Sequence, residues 1–190
     1  MRSRNFLQSL LMIALITHFG GCVAVDRNKY PESWSSLNSG LSHCEAIVGI
    51  YENTGQRDKR SSSYPVSRLS VALLGQAGPK EGEYVQIEMH ASQPELLSVT
   101  VYSGKEIAGS GNIQAKCSEE GVLISEPGAS GFVNEGGVIA YGRETRKLLS
   151  AQDGSLILYS SGTGAGLMLL VPFVASERQW ARYMRMSNGT

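Results

Sequence analysis

The sequence predicts a mainly β protein: a single antiparallel β-barrel or β-sandwich domain with one short helix, preceded by a signal peptide and a flexible tether. Three observations carry the β assignment. Apolar and polar residues alternate in YVQIEMH and LLSVTVY, short apolar runs recur along the rest of the chain, and clusters rich in Gly, Pro, Asn, Asp and Ser separate them. Alternation with a period of two marks a half-buried strand, and many short strands joined by tight turns point to a sandwich or barrel.

Taken in order, residues 84–90 put Val85, Ile87 and Met89 on one face and Gln86, Glu88 and His90 on the other. Residues 96–102 do the same, with Leu97, Val99 and Val101 opposite Ser98, Thr100 and Tyr102, and ASQPE between them supplies a turn through Pro94. The runs NIQAKC, GVLISE, GVIAYGRE, RKLLSA, SLILYSS, GLMLLVPFV and QWARYM follow as strands, with turn signals at SEEG, EPGASG, NEGG and QDGS. One segment breaks the pattern. PVSRLSVALLG places Val66, Leu69, Leu73 and Leu74 on one helical face, with Pro65 at its start and Gly75 at its end, the start and stop signals of a short helix. Such a helix covers an open end or edge of a sheet. The roughly 145 residues from Cys44 onward suit one hydrophobic core, so residues 44–190 read as one domain.

Upstream of that body, Arg2 and Arg4 precede an uncharged apolar run over residues 6–19, followed by Gly20 and Gly21. These are the parts of an export signal. A membrane-spanning helix needs about 20 apolar residues, and this run is shorter and interrupted by Gln8, Ser9, Thr17 and His18. The motif Phe19-Gly20-Gly21-Cys22 resembles the lipobox of bacterial lipoproteins, with Phe19 where that family usually has Leu or another aliphatic residue. The resemblance implies cleavage of a signal peptide over residues 1–21 and acylation of Cys22, which would hold the protein on a membrane surface by two or three acyl chains. Val23 and Ala24, with no Asp, point by the enterobacterial sorting rule to the outer membrane, facing the periplasm, ahead of the inner membrane. Secretion with cleavage after Ala24, or an uncleaved apolar anchor, are the alternatives.

Residues 22–43 read as the lipidated N-terminus and tether, rich in Ser, Asn, Pro and Gly. Tyr30 and Trp34, the large rings in it, are expected to dock on the sheet as a first turn of the fold. YPESW followed by CEAIVGIYENTG resembles a pattern of small uncharacterised proteobacterial lipoproteins: a Pro-Trp segment, a cysteine, then a Gly-x-Tyr-x-Asn strand. No activity comes with that resemblance.

Setting Cys22 aside leaves an even pair, Cys44 and Cys117, and exported chains commonly oxidise such pairs. A bridge would close a loop of roughly 70 residues, worth about 4 to 5 kcal/mol in the chain-entropy account; two separate buried thiols, or one reactive one, are the alternatives. Only His43 and His90 follow the leader, and no cysteines are closely spaced, so neither a metal site nor a cofactor is expected. The chain has 17 basic and 17 acidic side chains, and losing Arg2 and Arg4 with the leader leaves 15 against 17. Such a balance offers no footprint for nucleic acid. The basic groups Arg57, Lys59 and Arg60 around Asp58, and Arg143, Arg146 and Lys147 around Glu144, read as a solvated loop and a solvated strand face, with contact to an anionic headgroup as the alternative.

The chemistry motifs are sparse. SGTGAG at residues 161–166 lacks the Gly-Lys-Ser/Thr ending of a phosphate cradle and reads as a hairpin turn or a close backbone approach, as does GSG at residues 109–111. No Gly-x-Ser-x-Gly elbow occurs, and no catalytic residue is assigned. The expectation is a non-catalytic, membrane-anchored envelope protein that contacts another envelope component. A lipocalin-like carrier of a small apolar ligand or lipid, with room near Gly109, Gly111, Gly162, Gly164 and Gly166, is the alternative. A hydrolase would need His43 or His90 beside a serine and a carboxylate.

Overall fold

The computed structural model describes residues 29–38, 44–57, 68–75, 79, 81–90, 92–118, 121–135, 138–168 and 171–186. The leader, Cys22, His43, residues 58–60, Pro65 and Val66 lie outside the described residues. A 3-10 turn, Cys44–Ile47, leads into β1 (Gly49–Glu52) and β2 (Gln56–Arg57). The helix α1 (Leu69–Leu74) follows, then β3 (Tyr84–His90), β4 (Gln93–Ser103), β5 (Glu106–Gln114) and β6 (Lys116–Ser118). Four long strands complete the chain: β7 (Gly121–Glu135), β8 (Val138–Ser150), β9 (Leu156–Met168) and β10 (Val171–Tyr183).

These strands form two antiparallel sheets, one ordered β1-β3-β4-β5 and the other β2-β10-β9-β8-β7-β6. The fold is therefore mainly β and sandwich-like; of the two architectures expected, the closed barrel is not the one formed. The chain turns the corners of the sandwich itself. Buried Ala115 passes directly from β5 to β6, and at the other side the residues after β10 cross to β1: Glu52 N–H donates to Met184 O and Met186 N–H to Ile50 O. Corners made by chain switching sheets are the usual solution when two sheets pack at an angle.

Period-two patterning decides what faces inward. Val85 and Ile87 of β3 and Leu97, Val99 and Val101 of β4 are fully buried, as their alternation predicts, and meet Leu148, Leu156, Leu158, Ala181 and Tyr183 from the second sheet. On the outer face of the first sheet the polar partners remain, with Tyr84 and Tyr102 stacked across the β3–β4 pair at 5.0 Å. The helix adds Leu69 and Leu73 to the core, and Leu74 packs against it. It stops at Gly75, whose φ of 77° suits the residue expected there.

The glycines of GSG mark a close approach inside β5 rather than a turn. A Cβ on Gly109 would lie 2.7 Å from Pro79 Cγ, and one on Gly111 would lie 2.8 Å from Leu74 Cδ2, so both glycines admit the segment that caps the sandwich. The other glycine expectation is overturned. SGTGAG lies within β9, paired residue for residue with β8 and β10, and a Cβ on Gly162 or Gly164 would come no nearer than 3.4 Å to anything. EPGASG likewise lies within β7 and is no turn, and GVIAYGRE and RKLLSA form one strand. GLMLLVPFV splits between the end of β9 and the start of β10. Pro94 is the second residue of β4 rather than the centre of a turn; it precedes Leu96, where pairing with β5 begins.

Residues 29–38, part of the segment expected as a tether, contact the second sheet, on its outer face at Tyr30 and beside the β8–β9 turn at Leu37 and Asn38. Tyr30 sets its ring edge-on against Trp180 at 5.2 Å and against Trp34 at 5.9 Å, while Trp180 packs on Tyr159 at 4.5 Å. Trp180 and Tyr159 are cross-strand partners. Asn38 N–H donates to Ser150 O and Gln152 N–H to Ser36 O. Tyr30 thus docks on the sheet as expected, and Trp34 packs on Tyr30.

Candidate interaction surfaces

Cys44 opens the 3-10 turn and Cys117 sits in β6; the two are joined as a disulfide with Cα atoms 5.6 Å apart and a sequence separation of 73. The bridge ties the start of the body to the edge strand of the second sheet. The Gly-x-Tyr-x-Asn strand is structural in the same sense. A Cβ on Gly49 would come within 3.0 Å of the Arg185 guanidinium, so glycine lets that side chain lie over the strand. Tyr51 is buried with its hydroxyl donating to Ile47 O at 3.1 Å, and Arg185 Cζ lies 6.0 Å from its ring centroid. Burial raises the Tyr51 pKa above its ordinary value, against an opposing pull from Arg185. Asn53 is fully buried and holds three segments together: its backbone N–H donates to Glu83 O, its Nδ2 donates to Gly82 O, and its Oδ1 accepts from Ser70 N–H at the start of α1.

Arg185 also borders an open groove of about 540 Å³, lined by Val48, Gly49, Ile50, Glu88, Asp153 and Met186 among others. Its wall is mixed, with two carboxylates, one guanidinium and the exposed thioether of Met186. Asp153 belongs to the tight β8–β9 turn that QDGS predicts, where Gly154 takes a φ of 81°. Its Oδ1 accepts from Ser155 N–H at 3.0 Å and Ser155 Oγ at 2.6 Å, and its Oδ2 pairs with Arg182. Burial alone would raise the carboxyl's pKa, but these hydrogen bonds and the guanidinium outweigh it and hold the group below its ordinary 3.8. A depressed folded-state pKa means stability that is present above the unfolded value and lost as pH falls through the folded one. Acid titration of the folded protein is therefore expected to loosen this turn below about pH 4, and Asp153→Asn to lessen that acid sensitivity in a pH series of thermal melts.

The remaining sequence candidates are dispersed. His90 is exposed at the β3–β4 turn with Ser92 Oγ 3.1 Å from its Nδ1. Arg146 is not simply solvated: it forks onto Glu144 at 2.7 and 2.9 Å and donates to Ala72 O of α1 at 3.1 Å. Among the described residues no group of three or more His, Cys, Asp or Glu is placed to hold a metal ion, and no described helix is long and apolar enough to cross a membrane.

The surface that sequence reasoning missed is the far half of the second sheet. β2 pairs only with Ala181 and Arg182, and β6 only with residues 121–123, so among the described residues β7 to β10 continue for about ten residues each with no further strand beside the outer two, β7 and β10. On the outer face of this arm, Tyr141, Ala165 and Val174 form one cross-strand row, and Leu167 with Pro172 lies in a row beyond. All five are exposed; Tyr141 is 52% and Val174 56% accessible. Their parity gave the available signal: Tyr141 shares its face with Arg143, and Val174 with Ser176 and Arg178, so these apolar residues face the same side as polar ones. Compared with protein-family models, curated proteins and solved structures, the chain matches none.

Proposed function

We propose that this chain is a membrane-anchored envelope lipoprotein whose disulfide-bonded β sandwich serves as a non-catalytic binding or structural domain. The observation that carries the reading is the charged, apolar, then Gly-Gly-Cys order of residues 2–22, ahead of a body whose cysteines pair with each other and leave Cys22 over. A partner on the outer membrane's periplasmic side is the corresponding proposal. The carrier reading has less support. The space between the sheets is occupied by large side chains such as Tyr51, Tyr183, Ile87 and Leu156, and the groove beside Arg185 opens on the surface. A hydrolase has less still, since His90 sits on an exposed turn with a serine and without a carboxylate bonded to it.

Intact-protein mass spectrometry of the membrane fraction tests the anchor. The expected N-terminus is Cys22 carrying acyl chains, and Cys22→Ser is expected to leave the precursor uncut or release the protein from membranes. A mature chain that starts at Val25 without lipid would overturn the reading.

A further inference from the structure

We infer that the outer face of the β8–β10 arm is a lipid-contact surface, resting on the headgroup and upper acyl layer of an anionic bilayer through Tyr141, Ala165, Val174, Leu167 and Pro172. The inference rests on the reading that Cys22 is acylated, and four observations lead to it. First, the five residues are exposed and contiguous on one face, and a contiguous apolar patch marks a contact surface more than scattered apolar residues do. Second, the terminal stretches VIAYG, GAGLM and VPFVA of β8, β9 and β10 carry no charged side chain. Glu135, paired with Val138 at the β7–β8 end, and the open edges of β7 and β10 keep the contact at the interface rather than within the hydrocarbon.

Third, the charge pattern behind the patch fits a headgroup layer. Arg143 is exposed two residues back from Tyr141 on the same face, and exposed Arg178 lies further back on β10. Basic side chains at that level are attracted to anionic lipid, and tyrosine suits the apolar-to-polar boundary. Fourth, the anchor is on a short leash. Tyr30 docks on Trp180, on the same face as the patch. The eight residues from Cys22 to Tyr30 span at most about 30 Å, and the six from Trp180 to Val174 cover about 20 Å of strand. An acylated Cys22 therefore keeps the body, and this face of it, within reach of the membrane. Addition of a second copy along the free edges is the poorer fit, because β7 is interrupted by three register shifts and contains Pro127.

The test uses the acylated protein in vesicles of mixed phosphatidylcholine and phosphatidylglycerol. With Cys44 and Cys117 bridged and Cys22 acylated, Val174→Cys supplies one thiol for an environment-sensitive fluorophore. Leu167→Cys gives a second position, and Ile107→Cys, 65% exposed on β5 of the other sheet, is the control. The expected result is a blue shift with loss of most emission to an acyl-chain quencher at 174 and 167, and neither at 107. Protein that floats with the vesicles while its position-174 label is quenched only by aqueous iodide would overturn the lipid contact and leave the anchor standing. A blue shift that grows with protein concentration before any vesicle is added would overturn it in favour of a second copy. Protein isolated from its host membrane fraction with Cys22 unmodified would remove the anchor reading, and this inference with it.

Discussion

Replacing Cys44 and Cys117 together by alanine is expected to lower the unfolding free energy by about 4 kcal/mol, the value the chain-entropy account assigns to a loop of this size. The bridge closes a loop that contains the whole first sheet and α1, and without it the 3-10 turn keeps only its packing on β3 and β8 and β6 only its short pairing with β7. β6 has three residues and pairs only with the first three of β7. Unfolding by urea, followed by far-UV circular dichroism, should show the oxidised wild type most stable and the reduced wild type close to the double variant. A reduced protein as stable as the oxidised one would mean that the turn and the edge strand are held by packing alone. The measurement also bears on compartment, because a domain that depends on this bond folds best where thiols oxidise.

What the sequence made legible, it made legible through burial. β3 and β4 could be read to the residue because each buries one face, so Val85, Ile87, Leu97, Val99 and Val101 had to alternate with polar partners. Gly75 marked the end of α1 for a local reason, its positive φ. SGTGAG in β9 is hard to read as a strand because that half of β9 alternates exposed with half-buried residues and buries no full face. Gly162, Gly164 and Gly128 can sit in a ladder held by backbone hydrogen bonds, yet in a one-dimensional reading SGTGAG and EPGASG are indistinguishable from turns. The candidate lipid surface was hidden by the same cause: Tyr141, Leu167 and Val174 sit in apolar runs that look like core, and only pairing across three strands shows them on one exposed face. Asn53 was visible as part of a motif but not as a junction, since its partners Gly82 and Ser70 are 29 and 17 residues away.

That junction gives the second large effect. Asn53→Ala is expected to cost about 3 kcal/mol, because it leaves the Ser70 N–H and the Gly82 carbonyl without their partners in a fully buried site, each loss being of order 1–3 kcal/mol. The arrangement explains why α1 needs no conventional cap. Arg68, in the capping position, makes no side-chain cap bond; Asn53 Oδ1 takes the Ser70 N–H instead, and its backbone O takes that of Leu69. Asn53→Asp separates this role from simple volume. At pH 7 an aspartate keeps an acceptor for Ser70 but presents a second oxygen to Gly82 O and buries a charge, so it should be at least as destabilised as the alanine variant. Near pH 4 a protonated carboxyl can donate to Gly82 O, and part of the loss should return relative to wild type at the same pH. If thermal melts show the alanine variant within 1 kcal/mol of wild type, α1 is held by the burial of Leu69 and Leu73 rather than by the asparagine; if the aspartate variant regains nothing in acid, the bond to Gly82 is not what makes the position an amide.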